Sequence, residues 1–199
     1  MKIFKKLFLA ALVVFAAENG KAQSVGLMDP VSFKLKNGMS IIIAESKTSE
    51  KVYAGVTMGE GLETAGFCEL LNGILKETPG LLEAGISFTD KGGNVSSTPE
   101  KFDNALAVLS FALQHPLMTP EVFNKVKLEL MGQANEEGKK NLTEISFEEV
   151  KAEYGRQVVP AKTCLVIAGN ISLATARLLV KKEFANWGTV YLAANLRKN

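Results

Sequence analysis

The chain has 199 residues, with 23 Lys and Arg against 21 Asp and Glu, and 47% of it is hydrophobic. Its slight basicity sits in the first 22 residues: without Lys2, Lys5, Lys6, Lys21 and Glu18, 19 basic and 20 acidic residues remain, a net charge of −1. A near-neutral chain without a Lys/Arg cluster has no electrostatic footprint for nucleic acid, and 177 residues suit one domain rather than two.

The opening segment reads as an export signal. Met1 to Lys6 is a basic head, Leu7 to Ala17 is an apolar run, and Gly20 and Ala22 are small residues ahead of a cut before Gln23. A retained anchor needs about 20 apolar residues, so no membrane span is expected after cleavage. Residues 1–22 are therefore expected to be a signal peptide and 23–199 a single domain. The expected compartment is outside the cytoplasm, the bacterial periplasm.

Val31 to Leu35, then Asn37-Gly38, then Ser40 to Ala44 predicts a β-hairpin with a tight primed turn, because Asn-Gly accepts the positive φ angles that turn requires. A third strand follows at Val52 to Met58. Gly66 to Leu75, GFCELLNGIL, has helical spacing with Phe67, Leu70, Leu71 and Ile74 on an apolar face, and Pro79-Gly80 punctuates the chain beyond it. The same helix carries three residues that do not suit a core: Glu69, Asn72 and Gly73. Ile86 to Thr89 alternates as a strand, Asp90 to Gly93 is expected to turn, and Asn94 to Ser96 to return.

Thr98-Pro99-Glu100 and Thr119-Pro120-Glu121 each start a helix with Pro in the first turn. The polar run Asn135 to Lys140 is expected to be a solvated loop. Ser146-Phe147-Glu148-Glu149 is a capping box opening a helix that runs towards Tyr154. Thr163 to Gly169 is an apolar strand, and Ser172 caps a last helix ending near Asn186-Trp187-Gly188. Phe102, Phe111, Phe123, Tyr154 and Trp187 read as core rather than as a ligand box. Cys68 and Cys164 lie in apolar segments, where buried thiols are the simpler reading and a disulfide in an exported chain the other. The element order predicts an α+β fold, one mostly antiparallel sheet packed against helices.

Several blocks together resemble one domain of the pitrilysin, insulinase and mitochondrial processing peptidase family of zinc metallopeptidases (M16). They are VSFKLKNGMSIIIAES, GLETAGFCELLNGIL, STPEKFDNALAVLSFALQHPLMTPEVFNKVKLELMGQ and SFEEVKAEYGRQVVPAKTCLVIAGNISLATARLLVKKEFANWG. The match looks shortened around Glu77–Gly93 and Asn135–Thr143. Active members carry H-x-x-E-H on the helix that corresponds to Gly66–Leu75. Two imidazoles one turn apart hold zinc, the glutamate activates water, and a later helix adds a carboxylate.

Here Glu69, Asn72 and Gly73 stand at those places and Gln133 at the later ligand, with Glu129 one turn before it. The only histidine, His115, lies between helices in Gln114-His115-Pro116. The resemblance therefore implies a non-catalytic, peptidase-like domain with no metal or other cofactor and no catalytic residue. It would bind a protein or peptide, with an active homologue or a second copy of the chain as candidate partners. Ile86, Ser87, Phe88 and Thr89 match the region of the family's substrate-docking edge strand. The alternative is a zinc endopeptidase whose metal site is unconventional or completed by a partner.

Overall fold

The computed structural model describes residues 26–57, 66–89 and 92–188. The signal segment at 1–22 lies outside the described residues. Six strands form one sheet: β1 (Val31–Lys34), β2 (Ser40–Glu45), β3 (Val52–Thr57), β4 (Ile86–Thr89), β5 (Gly92–Ser97) and β6 (Cys164–Gly169). Their order is β1-β2-β6-β3-β5-β4, with β1 and β4 at the edges. Every pairing is antiparallel except β2 with β6, so the sheet is mostly antiparallel, as expected. The helices are α1 (Phe67–Lys76), α2 (Phe102–Gln114), α3 (Pro120–Gln133), α4 (Glu136–Glu144), α5 (Phe147–Gln157) and α6 (Leu173–Phe184). Among the described residues no helix is long and apolar enough to cross a membrane.

β6 lies between β2 and β3 and is buried along its whole length, which is why CLVIAG is apolar without alternation. One face of the sheet builds the main core. Ile41, Ile43, Val56, Leu165 and Ile167 pack there with Leu106 and Leu109 of α2, Val180 and Phe184 of α6, and Leu71 and Leu75 of α1. A second core lies beyond α1. Phe67, Leu70 and Ile74 meet Phe123 and Val126 of α3, Leu142 of α4, Ile145, and Val150 of α5. Helix α1 is thus a middle layer, buried on two sides, and its apolar residues divide between two cores rather than forming one face.

Three local expectations are corrected. The β1–β2 connection is not a two-residue primed turn. Gly38 N–H donates to the Leu35 carbonyl (3.0 Å) and Leu35 N–H to the Met39 carbonyl (2.9 Å), while among the described residues only glycines have positive φ. That pattern is a three-residue loop with Gly38 at φ 91°. Asn37 instead spends its side chain on the fold: Nδ2 donates to the carbonyls of Phe184 (2.7 Å) and Trp187 (3.1 Å).

The stretch from Asn135 to Lys140 is not a loop. Asn135 is an N-cap whose side chain accepts from Gly138 N–H (2.9 Å), and α4 runs on to Glu144. An Asn cap followed by two acids in the first turn offsets the poor propensity of Gly138, and Leu142 anchors the helix in the second core. Finally, Gly92 and Gly93 begin β5 rather than turning. Gly92 has φ 121°, and a β-carbon there would overlap the Val56 carbonyl oxygen.

Candidate functional site

α1 starts at Gly66, which has φ 87° and offers no side-chain cap, so the first carboxylate of the helix is Glu69. Glu69 is exposed and reaches an open cleft of about 270 Å³. The cleft is lined by Gly66 and Glu69 of the α1 start, Leu130 and Gln133 of the α3 end, Ala134, and Gly138, Asn141 and Leu142 from α4. The fold therefore brings Glu69 and Gln133 together, although 64 positions separate them in the chain. Glu129 is not at the cleft. Its charge, with that of Glu77, holds the Lys125 ammonium above its ordinary pKa, the Glu77 hydrogen bond being the main cause.

Asn72 and Gly73 point elsewhere. Asn72 is buried at 8% exposure and does not line the cleft. Gly73 is where α1 and α3 touch: a β-carbon built on it would overlap the Val126 Cγ1 methyl, far inside van der Waals contact. Val126 is itself buried in the second core, so it has no open space to retreat into. The glycine is explained by helix packing rather than by a ligand.

The zinc chemistry implied by the resemblance does not fit this donor set. The cleft offers one carboxylate and two amides, with neither imidazole nor thiolate, whereas a zinc site draws on several nitrogen, sulfur or carboxylate ligands. Among the described residues no group of three or more His, Cys, Asp and Glu is placed to hold a metal ion. His115 lies on a separate cleft with Phe111, Gln114 and Glu183. Its ring stands 5.3 Å from that of Phe111, which is 51% exposed and so is not a core residue as expected. Cys164 is buried and Cys68 half-buried, and no disulfide joins them. Desolvation pushes the Cys164 thiol above its ordinary pKa, which suits packing and not ligation.

The strand Ile86–Thr89 is β4, an edge of the sheet paired only with β5. Ile86 and Phe88 point into the core while Ser87 and Thr89 are exposed, and α1 packs beside the strand. The residues that sequence reasoning missed are those of α4, Asn141, Gly138 and Leu142. The sign of them was present in Asn135-Glu136-Glu137, a cap with an acidic first turn.

No family model matches the sequence, and no curated protein matches it. Solved structures do match the fold. A protease from Helicobacter pylori superposes with a TM-score of 0.70 at 10% identity, covering 81% of this chain and 51% of that one. An M16-like peptidase from Alicyclobacillus acidocaldarius gives 0.68 at 14% identity, covering 83% and 51%. The inactive domain of an M16 peptidase from Pseudomonas fluorescens gives 0.65 at 13%, covering 79% and 50%. The chain spans about half the length of each of these proteins. At such identities the likeness is one of architecture alone, and it is shared with solved M16 peptidase domains.

Proposed function

We propose that the protein is an exported, non-catalytic peptidase-like domain that works by binding a partner protein or an extended peptide. The observation that carries this reading is the α1–α3 contact. Where the resemblance expects a second zinc-binding imidazole, Gly73 lies against Val126 and leaves no volume for any side chain. The cleft beside it supplies donors suited to hydrogen bonding rather than to zinc. An inactive M16 domain among the structural neighbours is consistent with a fold retained without its chemistry.

The binding element of this proposal is β4. An edge strand offers unpaired backbone groups, and an extended segment adds to it by main-chain hydrogen bonds. The partner is an active homologue or a second copy of the chain. Residues 1–22 direct export, and the periplasm is the proposed compartment.

One specific observation favours a second reading, that of a zinc endopeptidase with a site completed by a partner: Glu69 and Gln133 do meet at one cleft. Elemental analysis of the purified protein, with a peptide-cleavage assay, separates the two. The expected result is no stoichiometric zinc and no cleavage. One zinc per chain, with cleavage abolished by Glu69→Gln, would overturn the non-catalytic reading. Affinity purification from the native envelope then identifies the partner.

A further inference from the structure

Among the described residues, the lining of the cleft between α1, α3 and α4 carries a carboxylate and no cation. Glu69 is the only ionisable residue among the described residues that line it. Among the described residues no basic side chain forms an ion pair with it. The Lys127 ammonium of α3 is engaged by the carbonyls of Thr143 (3.2 Å) and Ile145 (2.8 Å). Lys139 of α4 is paired with Glu136 at 2.8 Å.

The helix ends add to the field. Leu130, Gln133 and Ala134 bring the C-terminal end of α3 to the cleft, and that last turn has no basic residue to answer its partial negative charge. The starts of α1 and α4 lie at the rim with the opposite sign. Each, however, has acids in its own first turn, Glu69 in α1 and Glu136 with Glu137 in α4. Amide oxygens are available from Gln133 and Asn141, while Leu130, Ala134 and Leu142 give the cleft apolar walls.

We infer that this cleft receives the cationic side chain of a lysine or arginine from the bound protein chain. The Glu69 carboxylate meets the charged head, the two amide oxygens accept its remaining N–H groups, and the apolar walls cover the methylene stem. At about 270 Å³ the cleft falls just below the size of sites for drug-like molecules and suits one long side chain. The cleft adjoins α1, the helix that packs beside β4. The inference rests on the chain-binding reading above.

The test is selection of a displayed random peptide library on the purified protein and on Glu69→Gln. Glu69 is exposed, so the variant is expected to fold, and matching circular dichroism spectra and melting temperatures check that; Glu69→Ala serves as a second variant. The expected result is enrichment of Lys and Arg at one position of the selected peptides. Representative peptides should lose about threefold to tenfold in affinity on Glu69→Gln, and also when the basic residue is replaced by norleucine. Selected peptides without basic enrichment, or enrichment unchanged in Glu69→Gln, overturn the inference and leave chain binding standing. Recovery of no peptide above background overturns both.

Discussion

Two glycines in neighbouring helices show how a residue's role is set by what it faces. Gly73 sits against Val126, and Gly132 of α3 has nothing within 4 Å of where a β-carbon would stand. Alanine is the better helix former by about 1 kcal/mol, so propensity alone favours both substitutions equally. Overpacking a filled core costs about 1–3 kcal/mol, and a β-branched neighbour has little rotamer freedom with which to yield. Gly132→Ala is therefore expected to stabilise the protein by about 0.5–1 kcal/mol and Gly73→Ala to destabilise it by about 1–2 kcal/mol. Urea unfolding measures both. Because the clash is with one methyl group, Gly73→Ala should cost less in a Val126→Ala background, and a double-mutant cycle reads that coupling.

The two cysteines differ in the same manner. The unfolded chain should show two thiols to Ellman's reagent under non-reducing conditions. In the folded protein, iodoacetamide at pH 8 should modify Cys68 well before Cys164, whose burial both shields the thiol and raises its pKa. Equal rates would mean that β6 opens readily.

Among the elements, α5 has the best-defined start. Ser146 Oγ accepts from Glu149 N–H (3.3 Å), and the Glu149 carboxylate accepts from Ser146 N–H (2.8 Å) and Oγ–H (2.7 Å). Ser146→Ala is expected to cost about 1 kcal/mol in urea unfolding. Those hydrogen bonds hold the Glu149 carboxyl below its ordinary pKa of 4.5. A carboxyl depressed in the folded state stabilises the fold above its unfolded pKa, and that contribution disappears as pH falls through the folded value. The native protein should consequently lose stability below about pH 4.5 more steeply than Glu149→Gln, in melting temperatures recorded from pH 6 to pH 3.

Capping residues make such elements legible from sequence. The capping box at Ser146 is read correctly because both partners are local in sequence. The cap of α4 is equally local, at Asn135, but its helix is short, polar and interrupted by Gly138, so periodicity does not reveal it. What keeps α4 in place is Leu142, whose neighbours Phe67 and Leu70 are more than seventy positions away. The strand β4 is legible as a strand from its alternation. Its place at the edge of the sheet is a property of strand order, and nothing within Ile86–Thr89 encodes it.

At the scale of the molecule, the chain is tied together by contacts between its early and late parts. β2 pairs with β6 in parallel, and the β1–β2 loop is fastened to the end of α6 by Asn37. Removing that amide takes the side-chain donor from the Trp187 carbonyl and leaves the Phe184 carbonyl with only the Trp187 N–H (3.2 Å), beside a packed core. Asn37→Ala is expected to cost about 1–3 kcal/mol, measured by urea unfolding, although Asn37 lies in a surface loop. Asn37→Asp should be no better, since a carboxylate has no N–H to give.

The sequence by itself determined the strands and most helices, because turn chemistry, caps and hydrophobic spacing act over a few residues. It also determined the donor inventory: one histidine and two cysteines cannot build a conventional histidine zinc site anywhere in the chain. The tertiary structure decided the rest. It divided the apolar residues of α1 between two cores, gave Gly73 its reason in Val126, and closed a cleft around Glu69 with residues from α3 and α4. Those outcomes depend on which surfaces meet across long separations in the chain, and local pattern holds no record of such meetings.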